Sequence, residues 1–232
     1  MKSAKSKSAR GGASPPRESR TDGQATRGRI LEAAGALIAH AGFAHTTGKQ
    51  IAERAGVSLA SINYHFESRE GLYRALLVEA HQRFVSLSDL RELASSDLSA
   101  SEKLKAFIDR LVTQATHRQS GWHVDVLSRE ILAPSPHIGA LTQTALTPKL
   151  AVITEVLSEL TGIPPGNPGL LRCFLSAMAP CTVLLLMARG VPGPVHDIRQ
   201  MPQDVISDHL HRFALGGLEA IGREYIRKNG LE

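Results

Sequence analysis

Apolar residues recur along this chain at steps of three and four, and no stretch alternates with the two-residue period of a strand. The sequence therefore predicts an all-α protein without internal repeats. Ile30, Ala33, Ala34, Leu37, Ile38 and Ala41 form the first stripe, behind Thr26 as its N-cap, and Gly42 ends it with Phe43 following as a packing residue. Thr46 or Thr47 then caps a short helix through Ala55 that turns Ile51, Ala52 and Ala55 inward. Gly56 supplies the next turn because it tolerates positive φ. Ser58 caps a third helix with Ile62 and Phe66 on its inner side. Ser68 caps a fourth, with Glu70 at its positive end and Leu72, Leu76 and Leu77 as its stripe, running to Phe84 or beyond.

Beyond Ser95 the same periodicity predicts helices over 102–116, 122–132, 142–161, 169–189 and 203–228. Loop chemistry separates them: Pro134-Ser135-Pro136, the Gly/Pro-rich run 162–168, and a Pro-rich connection over 191–202. Residues 1–25 are rich in Lys, Arg, Ser, Gly and Pro and show no stripe, which predicts a disordered basic tail. The expected organisation is thus a tail (1–25), a small helical domain (26–75) and a larger helical domain (76–232).

Charge sharpens this division. Residues 1–75 hold twelve Lys/Arg against six Asp/Glu, whereas the remaining 157 residues hold fifteen against sixteen. The cationic excess lies beside the short second and third helices, where neutralising phosphates would require it. The two cysteines, Cys173 and Cys181, are too few for a disulfide framework and fit a reducing compartment. The basic N-terminus is not followed by an apolar run, so no secretory signal is expected and the cytoplasm is the expected location. The uncharged stretch between Arg172 and Arg189 is shorter than the ~20 residues of a membrane span and is interrupted by Pro180. No membrane partner is expected.

The third helix carries the chemistry. A helix that enters the major groove of DNA needs side chains short enough for close backbone approach, with polar groups on its outer face. Ser58, Leu59, Ala60, Ser61, Asn63, Tyr64 and His65 meet that need. Leu59 and Ala60 suit thymine methyls, and Ser61 and Asn63 suit base edges or nearby phosphates. Thr47, Lys49, Tyr64, His65 and Arg69 suit phosphates. Read from the residues alone, a helical hairpin with an ordinary polar face remains the alternative.

Gly42-Phe43, Thr46-Thr47, Ile51-Ala52, Ala55-Gly56-Val57-Ser58, Tyr64-His65-Phe66 and Glu70-Gly71-Leu72, in ungapped register over about residues 26–75, resemble the TetR family of bacterial repressors. Asn63 stands where that family usually has Tyr, and Arg69 where it usually has Lys. Ile62-Asn63-Tyr64-His65-Phe66 together with 128–136 resembles the CecR-type subgroup, associated with control of transporters and antibiotic sensitivity. The resemblance implies a homodimer with one N-terminal reader per subunit. It also implies a helical C-terminal domain whose small-molecule effector re-spaces the two readers on a double-stranded DNA operator.

On that basis Leu170, Phe174, Met178 and Leu185 on one helix, and Ile206, Leu210, Phe213, Gly217 and Ile221 on the last, are expected at a four-helix dimer interface. Packing within one subunit is the alternative for some of them. An effector pocket is sought near Trp122, His123, Val126, Leu127, Arg129 and Glu130, with Met178 facing them. The competing reading is that Arg129 pairs with Glu130 and Trp122 fills the core. His209 and His211 lie two apart and His117 and His123 six apart, which suits no metal, and no cofactor is expected. Phosphate loop, nucleophile elbow and paired carboxylates are all missing from the sequence, so enzymatic chemistry is not expected. The competing functions are a helical small-molecule-binding or enzymatic protein that uses the helix-turn-helix as scaffold, and a basic nucleoid-type binder driven by the tail.

Overall fold

The computed structural model describes residues 17–116, 121–186 and 193–230, and all of its regular elements are helical. The first four are α1 (Arg17–Ala41), α2 (Gly48–Ala55), α3 (Leu59–Phe66) and α4 (Arg69–Phe84). Two long pieces of the larger domain follow a short α5 (Leu87–Ala94): α6 (Ala100–Thr116) and α7 (Trp122–Leu132). A short α8 (Ile138–Leu141) passes through a π-helical turn, Thr142–Leu146, into α9 (Thr147–Thr161). The chain ends in α10 (Pro168–Leu186), α11 (Pro194–Arg199) and α12 (Gln203–Asn229).

Three boundaries differ from the sequence expectation. Residues 17–25, expected in the disordered tail, continue α1 upstream, so Thr26 lies inside the helix and its Oγ1 accepts from Arg29 instead of capping. This first stretch has helix-forming residues but no apolar stripe, and periodicity cannot register it. The rest of the tail, residues 1–16, lies outside the described residues, as do 187–189 at the end of the expected 169–189 helix. Val85 is extended and separates α4 from α5, an element the apolar pattern did not suggest. The 191–202 connection contains α11, opened by Pro194 at its first turn.

Two apolar cores form. One gathers Ile30, Ala34, Ile51, Ile62, Phe66, Leu72 and Leu76 from α1–α4 and also takes in Val126, Leu127, Leu141 and Ala145 from beyond residue 76. The other joins α6, α9, α10 and α12 through Ile108, Val112, Leu157, Leu170, Cys173, Ile206 and Leu218. Helix α7 packs across both α1 and α4, so the small domain is closed from behind by the large one.

Candidate nucleic-acid interface

Three hydroxyls set the starts of α2, α3 and α4. Thr47 Oγ1 accepts from the backbone N–H of Gln50 (3.3 Å), while the Thr47 N–H donates to Gln50 Oε1 (2.8 Å), a reciprocal capping box. Ser58 Oγ accepts from the Ser61 N–H at 3.1 Å, and Ser68 Oγ from the Gly71 N–H at 2.9 Å. Between α2 and α3, Gly56 adopts φ +63°, the left-handed conformation the turn requires. Gly71 answers a different demand: a Cβ there would lie 2.0 Å from the Phe66 carbonyl oxygen, so α4 can abut the end of α3 only with glycine at this position.

Ile62 and Phe66 anchor α3 in the core, and the Arg27 guanidinium lies 5.2 Å from the Phe66 ring centroid. Leu59, Ala60, Asn63 and Tyr64 are exposed, and Ser61 and His65 half-buried. Tyr64 is the extreme, 84% exposed, with its ring edge-on to His65 at 5.1 Å. Thr47 and Lys49 are exposed at the start of α2. These positions form one outward surface with no acidic side chain among them. Ser58 uses its oxygen in the cap and keeps its hydroxyl proton free to donate.

Arg69 does not join this surface. Its Nε donates to the Thr46 carbonyl (3.0 Å) and its NH2 to the Phe43 carbonyl, with the guanidinium 4.1 Å from the Phe43 ring centroid. This cation ties the α1–α2 loop to α4 by donating to the Thr46 and Phe43 carbonyls.

The residues expected around an effector pocket are also placed differently. Val126 and Leu127 are buried in the small domain's core, and Met178 in the large domain's. Trp122 lies against Gly35 of α1, where a Cβ would meet its ring at 2.2 Å. Its indole Nε1 donates to Glu32 (2.7 Å), and Arg83 sits over the ring while pairing with Glu32 and Glu79. Burial pushes the Glu32 carboxyl up, but the hydrogen bonds from Trp122 and Arg83 outweigh it and leave it below its ordinary value. His123 is half-buried beside the indole. Arg129 donates from Nε and NH2 to the Ala39 and His40 carbonyls (3.1 and 3.2 Å) at the end of α1.

Glu130, 2% exposed, accepts from the Tyr73 hydroxyl (2.7 Å), the Ser135 hydroxyl (2.7 Å) and the Ser135 N–H (3.0 Å). Burial and this carboxyl raise the Tyr73 phenol well above its ordinary value. Arg129 and Glu130 therefore do not pair with each other. Trp122 and Glu130 of α7 instead join the large domain to α1 and α4 through Glu32 and Tyr73, 90 and 57 positions away, partners that no local sequence pattern reveals.

The same joint holds a buried amine. Lys149 of α9, 3% exposed, donates from Nζ to His81 Nδ1 (2.7 Å) and to the His81 carbonyl (3.0 Å) on α4. Burial pushes the amine down to about 8, and burial together with the Lys149 charge pushes His81 down to about 4. Between about pH 8 and the ordinary 10.5 the unfolded chain holds the Lys149 proton and the folded one does not, so stability rises with pH across that window. Lys149→Met is expected to flatten this rise by about 2 kcal/mol, read as the difference in urea midpoints between pH 7.5 and 10.

The expected dimer residues divide. Leu170, Met178, Leu185 and Ile206 are buried within the subunit, and Phe174 and Leu210 are half-buried against the same core. Phe213, Gly217 and Ile221 are exposed. On α10 the outward apolar residues are instead Leu171 and Leu175, each one position beyond the expected Leu170 and Phe174, together with Val183. Because α10 is apolar around most of its circumference, periodicity could not choose its outer face. It is also, among the described residues, the helix long and apolar enough to cross a membrane by length and composition, yet eight of its residues are buried in the subunit's own interior.

An all-helical chain with a capped helix-turn-helix closed by a larger helical domain defines the class of two-domain helical DNA readers. Residues 30–76 match the family of bacterial regulatory proteins called tetR, and residues 100–221 match the C-terminal domain of the HTH-type transcriptional dual regulator CecR. This chain belongs to the TetR family and carries a CecR-type C-terminal domain.

It is 29% identical over 138 residues to YttP of Bacillus subtilis, a probable HTH-type transcriptional regulator, covering 58% of this chain and 64% of that protein. A putative transcriptional regulator from Pseudomonas aeruginosa PAO1 superposes with TM-score 0.69 at 19% identity over 90% of this chain and 97% of that one. NalD, the secondary repressor of the MexAB-OprM multidrug efflux pump in Pseudomonas aeruginosa, gives 0.59 at 22% identity, over 85% and 97%. Both share the fold. The match to YttP spans just under two thirds of that relative's length.

Proposed function

We propose that this protein is a homodimeric transcription regulator that represses by occupying a palindromic operator and leaves it when a small-molecule effector binds the larger domain. The observation that carries this reading is the exposed, acid-free face of α3, held by the Ser58 cap and by Ile62 and Phe66 behind it. Family membership and the repressor role of NalD support it. The protein works by binding rather than catalysis, in the cytoplasm, where the operator is. Leu59, Ala60, Ser61 and Asn63 read sequence, while Thr47, Lys49, Ser58, Tyr64 and His65 hold phosphates.

Two readers on a two-fold axis reach successive major grooves when their α3 helices lie roughly 34 Å apart. The axis is supported by the outward residues Leu171 and Leu175 on α10 and Phe213 and Ile221 on α12, which form an uncovered apolar face. Phe213→Glu is expected to halve the mass measured by light scattering and to weaken operator binding more than tenfold.

Retardation across an operator library tests the reader. Lys49→Ala is expected to weaken all sequences alike and to lower the salt slope by about 1, the value of one lost phosphate contact. Asn63→Ala is expected to change the preferred base at one position of each half-site. Equal loss across the library for both variants would refute the division. Removal of residues 1–16 is expected to lower general affinity and keep sequence preference, which separates a site-specific reader from a charge-driven nucleoid binder.

A further inference from the structure

The first residue of α2 and the first residue of α3 meet at the front of the small domain. Gly48 opens α2 and Leu59 opens α3, each directly after the residue whose hydroxyl caps its helix, Thr47 and Ser58. A Cβ on Gly48 would lie 3.0 Å from Leu59 Cδ1, closer than ordinary van der Waals contact. Apart from its chain neighbours, no other side chain of the described residues comes within 4 Å of that point. One branch of Leu59 therefore lies over the bare start of α2, while the residue stays 50% exposed.

The two sides of this contact differ in freedom. Helix α2 is fixed at its start by the Thr47–Gln50 capping box, at its end by Gly56, and along its inner side by Ile51, Ala52 and Ala55 in the core. The backbone of α3 is fixed by the Ser58 cap and by Ile62 and Phe66. The half-exposed end of Leu59 is the part that can move. A side chain at position 48 thus displaces the Leu59 methyls and leaves both helices where they are.

We propose that Gly48 is a positioning residue for operator recognition: by carrying no side chain it sets where Leu59 presents its methyl groups to the bases, and so which base pair is preferred at the start of α3. The proposal rests on the regulator reading above, in which Leu59 meets a base. The first residues of a recognition helix contact base edges, and an apolar side chain there distinguishes thymine by its C5-methyl group. Relieving a 3.0 Å approach to the optimal carbon separation of about 3.5–4.0 Å requires Leu59 to move by about 0.5–1 Å. A gap of that size forfeits about a quarter to a half of a dispersion contact, and the same shift toward the groove produces overlap. Position 48 therefore acts on base choice through Leu59, without touching a base itself.

The test uses the full-length protein, retardation across the operator library, and leucine-methyl NMR of the free protein, with the Leu59 peaks assigned from Leu59→Ala. Gly48→Ala is expected to shift those peaks and to change base preference at one position of each half-site by about threefold, and Gly48→Val by about tenfold. Affinity for non-specific DNA is expected to stay the same, because the phosphate contacts are untouched. The melting temperature of Gly48→Ala is expected to hold or rise by about 2 °C, since alanine suits a helix better than glycine. Gly139→Ala, a helical glycine whose added Cβ meets nothing within 4 Å, is expected to leave base preference unchanged. In a Leu59→Ala background, Gly48→Ala is expected to change nothing further, as a pair acting through one contact requires. Unmoved Leu59 peaks, or an unaltered preference in Gly48→Ala that still binds the operator, overturns the proposal and leaves the regulator reading intact. Equal loss across all sequences also overturns it, because position 48 would then serve the phosphates. So does a change of preference that persists without the Leu59 side chain. Unmodified protein that retards no DNA removes the regulator reading and this proposal with it, whatever the methyl peaks show.

Discussion

Glu130→Ala is expected to lower the thermal midpoint by about 10 °C, because losing about 3 kcal/mol shifts a chain of this size by roughly 2–4 °C per kcal/mol. The carboxylate is buried and accepts three hydrogen bonds, from the Tyr73 hydroxyl and from the hydroxyl and N–H of Ser135. Alanine removes all three acceptor contacts and leaves the donors inside the protein, where a buried group without a partner costs about 1–3 kcal/mol. A cavity the size of the missing side chain adds to the loss. Tyr73→Phe deletes one donor and leaves two to serve the carboxylate, so its expected cost is about 1 kcal/mol. A difference of less than 2 °C between Glu130→Ala and the unmodified protein in differential scanning calorimetry would show that this network does not hold the two domains together.

The effect reaches function because of where the network lies. Tyr73 sits one turn into α4, the helix that starts at the reader, and Glu130 sits on α7, the helix that packs on both α1 and α4. Trp122 with Glu32, Arg129 with the end of α1, and Lys149 with His81 form three more ties across the same boundary. A shift of α7 or α9 in the large domain therefore moves α1 and α4 with it. The small domain has no complete core of its own, since Val126, Leu127, Leu141 and Ala145 finish it from outside. A cut at residue 76 is accordingly a poor place to isolate the reader.

What could be read from sequence follows from the range of each interaction. Caps and turns are local, so Thr47, Gly56, Ser58 and Ser68 reveal the starts and stops of α2–α4 within four residues of each boundary. The amphipathic pattern likewise separates Ile62 and Phe66 from Asn63 and Tyr64. Long-range choices are different. Arg69 has the chemistry of a phosphate anchor, yet Phe43 and Thr46, more than twenty positions upstream, take its guanidinium. Trp122 was expected beside a ligand, but Gly35 leaves a slot for its ring on α1. In α10 adjacent leucines separate completely: Leu170 is buried and Leu171 exposed, and only tertiary packing decides which. Helix α11 lies inside a Pro-rich stretch that carries no periodic signal.

Ala60→Glu is expected to reduce operator affinity at least a hundredfold while leaving the melting temperature within about 1 °C, since exposed substitutions away from special features usually change stability by under 0.5 kcal/mol. Ala60 is exposed on the second residue of α3, between Leu59 and Ser61, with its methyl group directed away from the Ile62–Phe66 side. Glutamate there inserts a longer, anionic side chain where the backbone must approach the groove, so it meets both a steric and a like-charge barrier against the phosphates. Its position in the first turn of α3 is favourable for an acid, which removes helix damage as a cause of the loss. Ala60→Gln carries the same length without the charge and separates the two contributions: an intermediate loss of about tenfold is expected from sterics alone. Retention of operator binding by Ala60→Glu in a retardation assay would mean that α3 does not enter the groove, and the reader would have to be sought on another surface of the small domain.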